Sequence, residues 1–168
     1  LLRRRGAAVV EITPAPFNVR SRVHEYGGGA FLASGGTVFF SHFADNRLYA
    51  VAEGAAPRAL TPDGAMRYAD FVADDARARL LAVREDHSAG SACPVNTICA
   101  VGFDGALSVL VAGADFYAAP RLSPDGRTFA WLSWDHPRMP WQGTELWVAD
   151  IDTAGALSNA RLVAGGPA

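Results

Sequence analysis

The sequence contains no lysine, so its 15 basic residues are all arginines. We interpret this bias as genome composition. The 17 acidic residues nearly balance the arginines and give a net charge of −2, which argues against the basic surface of a nucleic-acid-binding domain. No apolar run approaches the roughly 18 residues of a membrane-spanning helix. With 50% hydrophobic residues, the composition predicts a folded, soluble chain that binds neither nucleic acid nor membrane.

Cysteine is also scarce, with only Cys93 and Cys99 in the chain. Their spacing is wider than the Cys-x-x-Cys pairs of zinc sites, so we expect two thiols in a reducing compartment. A disulfide that closes a local loop is the alternative. The first residues, Leu-Leu-Arg-Arg-Arg, lead into an apolar stretch that is too short for a secretory signal. These features predict a cytoplasmic location, and both ends of the sequence suggest a piece of a longer protein.

Helical periodicity is nearly absent. Short runs rich in Val, Phe, Leu, Trp and Tyr are instead bounded by Gly, Pro, Asp and Asn, which is the pattern of strands joined by tight turns. The sequence therefore predicts an all-β fold. The predicted strands cover residues 8–13, 29–33, 37–43, 47–52, 58–61, 68–73, 79–85, 97–103, 107–112, 119–123, 128–134, 145–151 and 160–164.

These strands repeat at a spacing on the order of 50 residues, as do the four-stranded blades of β-propellers. The stretch ASGGTVFF at 33–40, for example, corresponds to SPDGRTFA at 123–130. We predict a partial β-propeller of about three four-stranded antiparallel blades. The predicted boundaries are one strand of a preceding blade within residues 1–28, then blades at 29–64, 65–113 and 114–168.

A closed propeller needs about four to eight blades. The predicted number therefore indicates either a fragment or a ring that a second chain completes. Each blade of a propeller covers the faces of its neighbours, as in other repeat architectures. The uncovered faces of the end blades consequently predict self-association.

The turns of the predicted blades differ in length between the two faces of the disc. Tight turns such as SPDG at 123–126, TPDG at 61–64 and FDG at 103–105 suit β-turn geometry. The long connections cover residues 14–28, 86–96 and 135–143. Because strand direction alternates within a blade, all three are predicted on one face, where a rigid scaffold usually carries function.

The first long connection offers Arg20, Arg22, His24, Glu25 and Tyr26, followed by three glycines. One interpretation is a substrate-facing loop whose charged residues meet a peptide terminus. The other is a crossover between blades, in which the glycines let the backbone approach the propeller axis and His24 and Glu25 form a local hydrogen-bonded pair.

The third connection carries Asp135, His136, Arg138 and Trp141 between prolines. These residues suit either a binding site or a domain contact, and exposed Trp and Met side chains are typical of protein interfaces. A self-packed loop supported by an internal ion pair is the alternative.

Known catalytic patterns are weak or missing. Asp-His-Ser at 86–88 resembles a catalytic triad only in composition, and no Gly-x-Ser-x-Gly nucleophile elbow occurs. Phosphate-binding and dinucleotide-binding motifs are absent as well. A metal site formed by His24, His87 and His136 would need the three loops to converge, and we expect neither a metal nor a cofactor.

Three stretches carry a family resemblance: NVRSRVHEYGGGAF at 18–31, SPDGR at 123–127 and WDHPRMPWQGTELW at 134–147. They resemble the propeller of bacterial serine peptidases of the prolyl oligopeptidase family, in the subgroup of dipeptidyl aminopeptidases and acylaminoacyl peptidases. The resemblance spans nearly the whole chain. The Ser-Pro-Asp-Gly turn occurs in many propellers, whereas the 134–147 stretch is much more specific.

The resemblance implies a two-part enzyme, in which a propeller covers an α/β-hydrolase domain that carries the catalytic Ser, Asp and His. That domain is not in this chain. We therefore expect no catalytic residue here, and a propeller part that is inert alone but gates and positions short peptides in the complete protein. The loops around His24 and His136 would face the hydrolase domain. The alternative is a non-enzymatic propeller that binds a protein ligand on its long-loop face.

Overall fold

The computed structural model describes residues 1–90 and 93–166. Residues 91–92, in the predicted connection 86–96, and residues 167–168, at the end of the predicted last blade, lie outside the described residues. The regular secondary structure of the described residues is almost entirely β-strand, with one 3₁₀ turn at Asp75–Arg77 and one helical turn, α1, at Pro140–Gly143. Its strands are β1 (Leu2–Arg5), β2 (Ala8–Glu11), β3 (Phe31–Ser34), β4 (Thr37–Ser41), β5 (Leu48–Ala52), β6 (Arg58–Ala59), β7 (Met66–Asp74), β8 (Arg79–Asp86), β9 (Val95–Gly102), β10 (Leu107–Val111), β11 (Phe116–Leu122), β12 (Thr128–Trp134), β13 (Glu145–Ile151) and β14 (Leu157–Gly165).

Three four-stranded antiparallel sheets follow one another along the chain. They are β3-β4-β5-β6, β7-β8-β9-β10 and β11-β12-β13-β14, each paired in sequence order. The first strands β3, β7 and β11 pack beside one another, so they are the inner strands of three neighbouring blades. The all-β prediction is confirmed, and each predicted strand has a counterpart within a few residues.

The N-terminal segment differs from the prediction of one strand at 8–13. Strands β1 and β2 form a separate hairpin, with Leu2 opposite Glu11 and Arg5 opposite Ala8. The three consecutive arginines of β1 hide its strand character, because they break the alternation of apolar and polar residues. Gly6, at φ 58°, makes the turn. That this segment continues a preceding blade stays a prediction.

Two apolar clusters fill the spaces between blades. Between the first and second blades lie Phe39, Leu48 and Leu80, and between the second and third lie Leu81 and Phe129, all buried. The middle blade is covered on both sides, and its strands β8 and β9 are therefore buried along most of their length. Strand β14, at the outer edge of the last blade, is almost wholly exposed.

Asp70 joins the three inner strands near the middle of the disc. It lies at a bulge of β7 with φ 56°, and its Oδ1 accepts a hydrogen bond from the Gly29 N–H at 2.5 Å. Its Oδ2 accepts another from the Ala119 N–H of β11 at 3.3 Å. A Cβ on Gly29 would lie 2.9 Å from Asp70 Oδ1. The glycines before β3 thus permit a close backbone approach, as the crossover interpretation expects.

The second and third blades are also joined by polar contacts at the face opposite the long connections. The buried Asp74 carboxylate pairs with Arg77 at 2.9 Å and with Arg79 at 2.8 Å. Both guanidinium groups then reach carbonyls of the third blade: Arg77 reaches Asp152 and Arg79 reaches Gly155. This network links the two blades.

The strand registers place the long connections together. Met66 pairs with Asp86, Asp86 with Val95, and Phe116 with Trp134. The starts of β7, β9 and β11 and the ends of β8 and β12 therefore share one face of the disc. The connections 86–96 and 135–143 leave from this face, as predicted.

Candidate functional site

The face from which the connections 86–96 and 135–143 leave is called the long-connection face below. A cavity of about 440 Å³ opens on this face, between the second and third blades. The segment before β3 reaches across to it and contributes His24 and Glu25. All three long connections therefore meet at one place, together with the strand ends beneath them. The lining residues are His24, Glu25, Glu85, His87, Cys93, Pro94, Asn96, Asp115, Phe116 and His136.

Glu85, near the end of β8, is the buried anchor of this cavity. Its Oε1 accepts a hydrogen bond from the His24 N–H at 2.6 Å. Its Oε2 lies 3.1 Å from His87 Nε2 and 3.6 Å from Arg67 Nη1. A carboxylate buried without such partners would be strongly unfavourable. Arg67 also donates to Glu25 Oε1 at 2.5 Å, so one guanidinium holds both glutamates.

The backbone at His24 and Glu25 is held in an uncommon conformation. Their φ angles are 56° and 64°, in the left-handed region that non-glycine residues rarely adopt. The turn is closed by hydrogen bonds from the Glu25 N–H to Arg22 O at 2.9 Å and from the Gly27 N–H to Val23 O at 2.8 Å. Arg67 donates to Arg22 O as well, at 3.0 Å. Such strain persists only where the surroundings enforce it, and it often marks functional sites.

An aromatic cluster forms the inner wall. The His24 ring meets the rings of Phe116 and Trp134 edge-on, at centroid distances of 5.4 and 5.6 Å. The Phe116 ring stacks on the Trp134 ring at a centroid distance of 5.3 Å, and the His136 ring is tilted against the Phe116 ring at a centroid distance of 4.8 Å. Burial lowers the pKa of His24, against the opposing charges of Glu85 and Asp70. The imidazole is therefore neutral at pH 7.

The third side of the cavity is built on Asp115. Its Oδ2 accepts a hydrogen bond from the His136 N–H at 2.9 Å and lies 3.3 Å from His136 Nδ1. The Asp115 N–H in turn donates to Asp135 Oδ1 at 2.7 Å. Asn96, from β9, donates its Nδ2 to Asp115 O at 2.7 Å. Asp135 thus supports the loop, whereas Asp115 and His136 face the cavity.

The structure brings His24, Glu25 and His136 together, but it places the other predicted site residues around them or elsewhere. Arg20 and Arg22 lie over the Phe43 ring, 4.5 and 4.2 Å from its centroid. Tyr26 is 73% exposed beside His24. Arg138 packs against Gly143, and Trp141, on α1, is 76% exposed.

Several residues at the cavity were missed by the sequence prediction: Arg67, Glu85, Asn96, Asp115 and Phe116. Glu85 and Asn96 lie in strands, where a polar residue usually indicates the solvent face. The feature of the sequence that could have identified them is their position, because both lie at strand ends on the long-connection face. Their burial depends on packing between blades, and the periodicity of the sequence carries no information about that packing.

The structure also describes the local chemistry around the triad-like stretch and the cysteines. Asp86 Oδ1 accepts a hydrogen bond from the Ser88 N–H at 2.9 Å, while His87 turns to Glu85, so Asp-His-Ser at 86–88 is a turn and not a triad. Within residues 1–90 and 93–166, no group of three or more His, Cys, Asp or Glu is placed to hold a metal ion. Cys93 and Cys99 are not joined by a disulfide. No helix among the described residues is long and apolar enough to span a membrane.

The chain matches no protein-family model and no curated protein. Among solved structures, it is similar to a puromycin hydrolase mutant complexed with PGG, at 39% identity and a TM-score of 0.89 over 99% of this chain and 29% of that one. It is also similar to a puromycin-hydrolyzing peptidase of Mycobacterium tuberculosis, at 39% identity and a TM-score of 0.89 over 98% of this chain and 28% of that one. Regucalcin, a calcium-binding protein of Agrobacterium tumefaciens, shares the fold alone, at 15% identity and a TM-score of 0.57 over 92% of this chain and 47% of that one.

These similarities define the class of the fold as part of a β-propeller. The predicted resemblance to the propeller region of prolyl oligopeptidase-family peptidases is confirmed, since the puromycin-hydrolysing enzymes are peptidases of that family. The chain spans less than a third of the length of these relatives.

Proposed function

We propose that this chain is part of the propeller of a serine peptidase, of the dipeptidyl aminopeptidase or acylaminoacyl peptidase type, in the cytoplasm. In that protein it restricts access to the catalytic centre and positions short peptides for an α/β-hydrolase domain. The observation that carries the proposal is the convergence of three long connections on one cavity of about 440 Å³. The 39% identity to a puromycin hydrolase along 99% of the chain supports it.

The chain alone is inert in this proposal. Acyl transfer by a serine peptidase requires a nucleophile and a base in hydrogen-bonding contact. No Gly-x-Ser-x-Gly occurs in the sequence. His87, the histidine of the triad-like stretch, contacts the buried carboxylate of Glu85.

The long-connection face is the side that meets the hydrolase domain in this account. His24, Glu25 and His136 lie at the cavity, where they contact a peptide that reaches the catalytic centre. Tyr26 and Trp141 are exposed above the same face. They provide apolar contact area toward the partner domain, while Arg20, Arg22 and Arg138 shape the loops that present them.

The test compares the purified chain with the complete protein that contains it. We expect the complete protein to hydrolyse aminoacyl and dipeptidyl chromogenic substrates and short peptides, but not a folded protein. We expect the chain alone to hydrolyse none of them. Turnover that copurifies with the chain and is abolished by a serine-directed reagent would contradict the proposal. Equal hydrolysis of short peptides and folded proteins by the complete protein would contradict the gating role.

A second candidate is a non-enzymatic propeller that binds a protein ligand. It is favoured by the exposed Met139 and Trp141 side chains at and beside α1, since Met and Trp are enriched at protein interfaces. The parent reading frame distinguishes the two. A nucleophile elbow after residue 168 supports the peptidase, whereas further blades up to a stop codon support the binding protein.

A further inference from the structure

Arg20 and Arg22 hold their guanidinium groups over one aromatic ring, that of Phe43. Their Cζ atoms lie 4.5 and 4.2 Å from the ring centroid, within the range of a cation–π contact. A phenyl ring attracts cations but has no net charge, so it neutralises neither guanidinium. The contact therefore gathers two positive charges at one place.

The backbone beneath these side chains is held by hydrogen bonds. The Arg20 N–H donates to Ser41 O at 3.2 Å, and the Phe43 N–H donates to Asn18 O at 2.9 Å. The segment that carries the arginines is thus paired with the end of β4 and with the connection that follows it. The ring and the arginines are therefore anchored to the same pair of segments.

The balance of charge around the arginine pair is positive. In the part of the chain that the structure describes, neither guanidinium has a carboxylate within ion-pairing distance. The acidic residue closest along the sequence, Glu25, is bonded to Arg67 at 2.5 Å. Arg67 is also the main cause that lowers the pKa of Glu25, and the charge of Arg22 makes a smaller contribution. Two neighbouring cations repel each other, and an anion that binds both removes this repulsion.

The arginine pair lies on the long-connection face, beside the cavity. The connection that carries Phe43 leaves from the end of β4 and joins β5, as the connection 86–96 leaves from the end of β8 and joins β9. Arg22 precedes His24 of the cavity wall by two residues, and its carbonyl accepts a hydrogen bond from Arg67 at 3.0 Å. In the proposed function, this is the face that holds a peptide.

The site is formed before any anion binds. Arg20 is exposed and Arg22 is half-buried, so both are accessible from solvent, while the Phe43 ring holds them in place. Fixing a flexible arginine side chain costs conformational entropy, and a site that is already ordered binds its ligand without this loss. Such order benefits a ligand that binds and leaves in each turnover. A carboxylate of a permanently attached domain gains little from it.

We propose that Arg20 and Arg22 form a binding site for the free C-terminal carboxylate of a short peptide. A planar guanidinium donates two parallel hydrogen bonds to a carboxylate, so two of them satisfy both oxygens and balance the charge. This proposal rests on the proposed function and deepens it, because it specifies a substrate class, namely short peptides with an unblocked carboxyl end.

The probes for the test are trialanine and trialanine amide, which differ only in the C-terminal group and its charge. Binding to the complete protein is measured by isothermal titration calorimetry, after a serine-directed reagent has blocked hydrolysis of the probes. We expect trialanine to bind about tenfold more tightly than its amide at low salt, as charge-assisted hydrogen bonds predict. The difference should shrink at high ionic strength.

Arg20→Gln and Arg22→Gln each remove one positive charge and retain a polar side chain. Each is expected to weaken trialanine binding about tenfold and to leave binding of the amide within about twofold. Arg161→Gln is the matched control, since Arg161 lies exposed on the outer strand β14 and loses the same charge. It should bind both peptides as the parent does. Arg20 is exposed, so Arg20→Gln tests the site even if Arg22→Gln fails to fold.

Equal affinity for both peptides, no binding of either, or unchanged trialanine affinity in the folded variants overturns the proposal. Equal weakening of both peptides by the variants also overturns it, because it shows that the arginines act on the loop or on the neighbouring domain. The proposed function is tested separately, by hydrolysis and size selectivity in the complete protein. Selective hydrolysis of short peptides together with equal binding of the two probes would reject the carboxylate site and leave the gating role in place.

Discussion

The main-chain N–H of His24 donates a hydrogen bond to Glu85 Oε1 at 2.6 Å, and this bond joins the segment before the first blade to the middle blade. Glu85 is only 2% exposed, and its Oε2 lies 3.6 Å from Arg67 Nη1 and 3.1 Å from His87 Nε2. The cavity and the strained His24 turn both depend on this carboxylate. Replacing Glu85 therefore tests most directly what holds the site in place.

We predict that Glu85→Ala lowers the free energy of unfolding by roughly 2–3 kcal/mol, because it removes the acceptor of the His24 N–H and the buried partner of the half-buried Arg67 and His87. Glu25→Gln is the matched control, since Glu25 pairs with the same Arg67 but is exposed. It should cost less than about 1 kcal/mol. Urea denaturation of the two variants measures the difference, and similar losses for both would show that Glu85 is not the anchor.

The pH dependence of stability should report the burial of His24. Its pKa is lowered in the folded state by burial, so protonation favours the unfolded chain. The stabilising contribution is complete above the unfolded value of about 6.5 and is lost as the pH falls from there toward the folded pKa. We therefore expect the free energy of unfolding to decrease below about pH 6.5, and to decrease less in His24→Phe. An identical pH profile for the variant would contradict this.

Gly29 should tolerate no side chain, because a Cβ there would lie 2.9 Å from Asp70 Oδ1. We predict that Gly29→Ala lowers the free energy of unfolding by about 1–3 kcal/mol, as overpacking does. Gly64→Ala is the control, since a Cβ at Gly64 meets nothing within 4 Å. It should leave stability within about 0.5 kcal/mol of the parent or raise it slightly. Equal behaviour of the two variants in thermal or urea denaturation would exclude a close approach at Gly29.

Cys99 should be unreactive in the folded protein. Cys99 is fully buried in the cluster between the first two blades, and burial raises the pKa of its thiol to about 12. The reactive thiolate is thus nearly absent at pH 8. Mass spectrometry after iodoacetamide treatment should find Cys99 unmodified in the folded protein and modified after unfolding in urea. The sample unfolded in urea is the reference, because the Cys99 thiol is accessible there. Rapid labelling of Cys99 in the folded protein would mean that the interface between these blades opens.

The chain should self-associate in solution. Phe31, Leu2 and Val163 are large apolar residues left exposed at the two ends of the array of blades, and contiguous exposed apolar surface favours association. We expect light scattering at high concentration to give a mass above that of one chain, and Phe31→Ser to lower it. A clean monomer under these conditions would contradict the prediction of open blade faces.

The strands and the face that carries the site could be predicted from the sequence, because both follow from local patterns. Alternating apolar residues mark strands such as β12, and a meander of four strands fixes which turns share a face. The hairpin strand β1 was missed because Arg3, Arg4 and Arg5 show no alternation. Glu85 and Asn96 were missed because their burial arises from contacts between blades that are distant in sequence.

Hydrogen exchange of the protein with and without a short unblocked peptide tests the central claim most directly. If the long-connection face positions peptide substrates, the peptide should slow exchange in the His24 turn, at the end of β8 near Glu85 and at the start of β11 near Phe116. Exchange in β14, on the outer edge, should not change. No protection at the cavity, or protection confined to other surfaces, would contradict the assignment of this face to peptide binding.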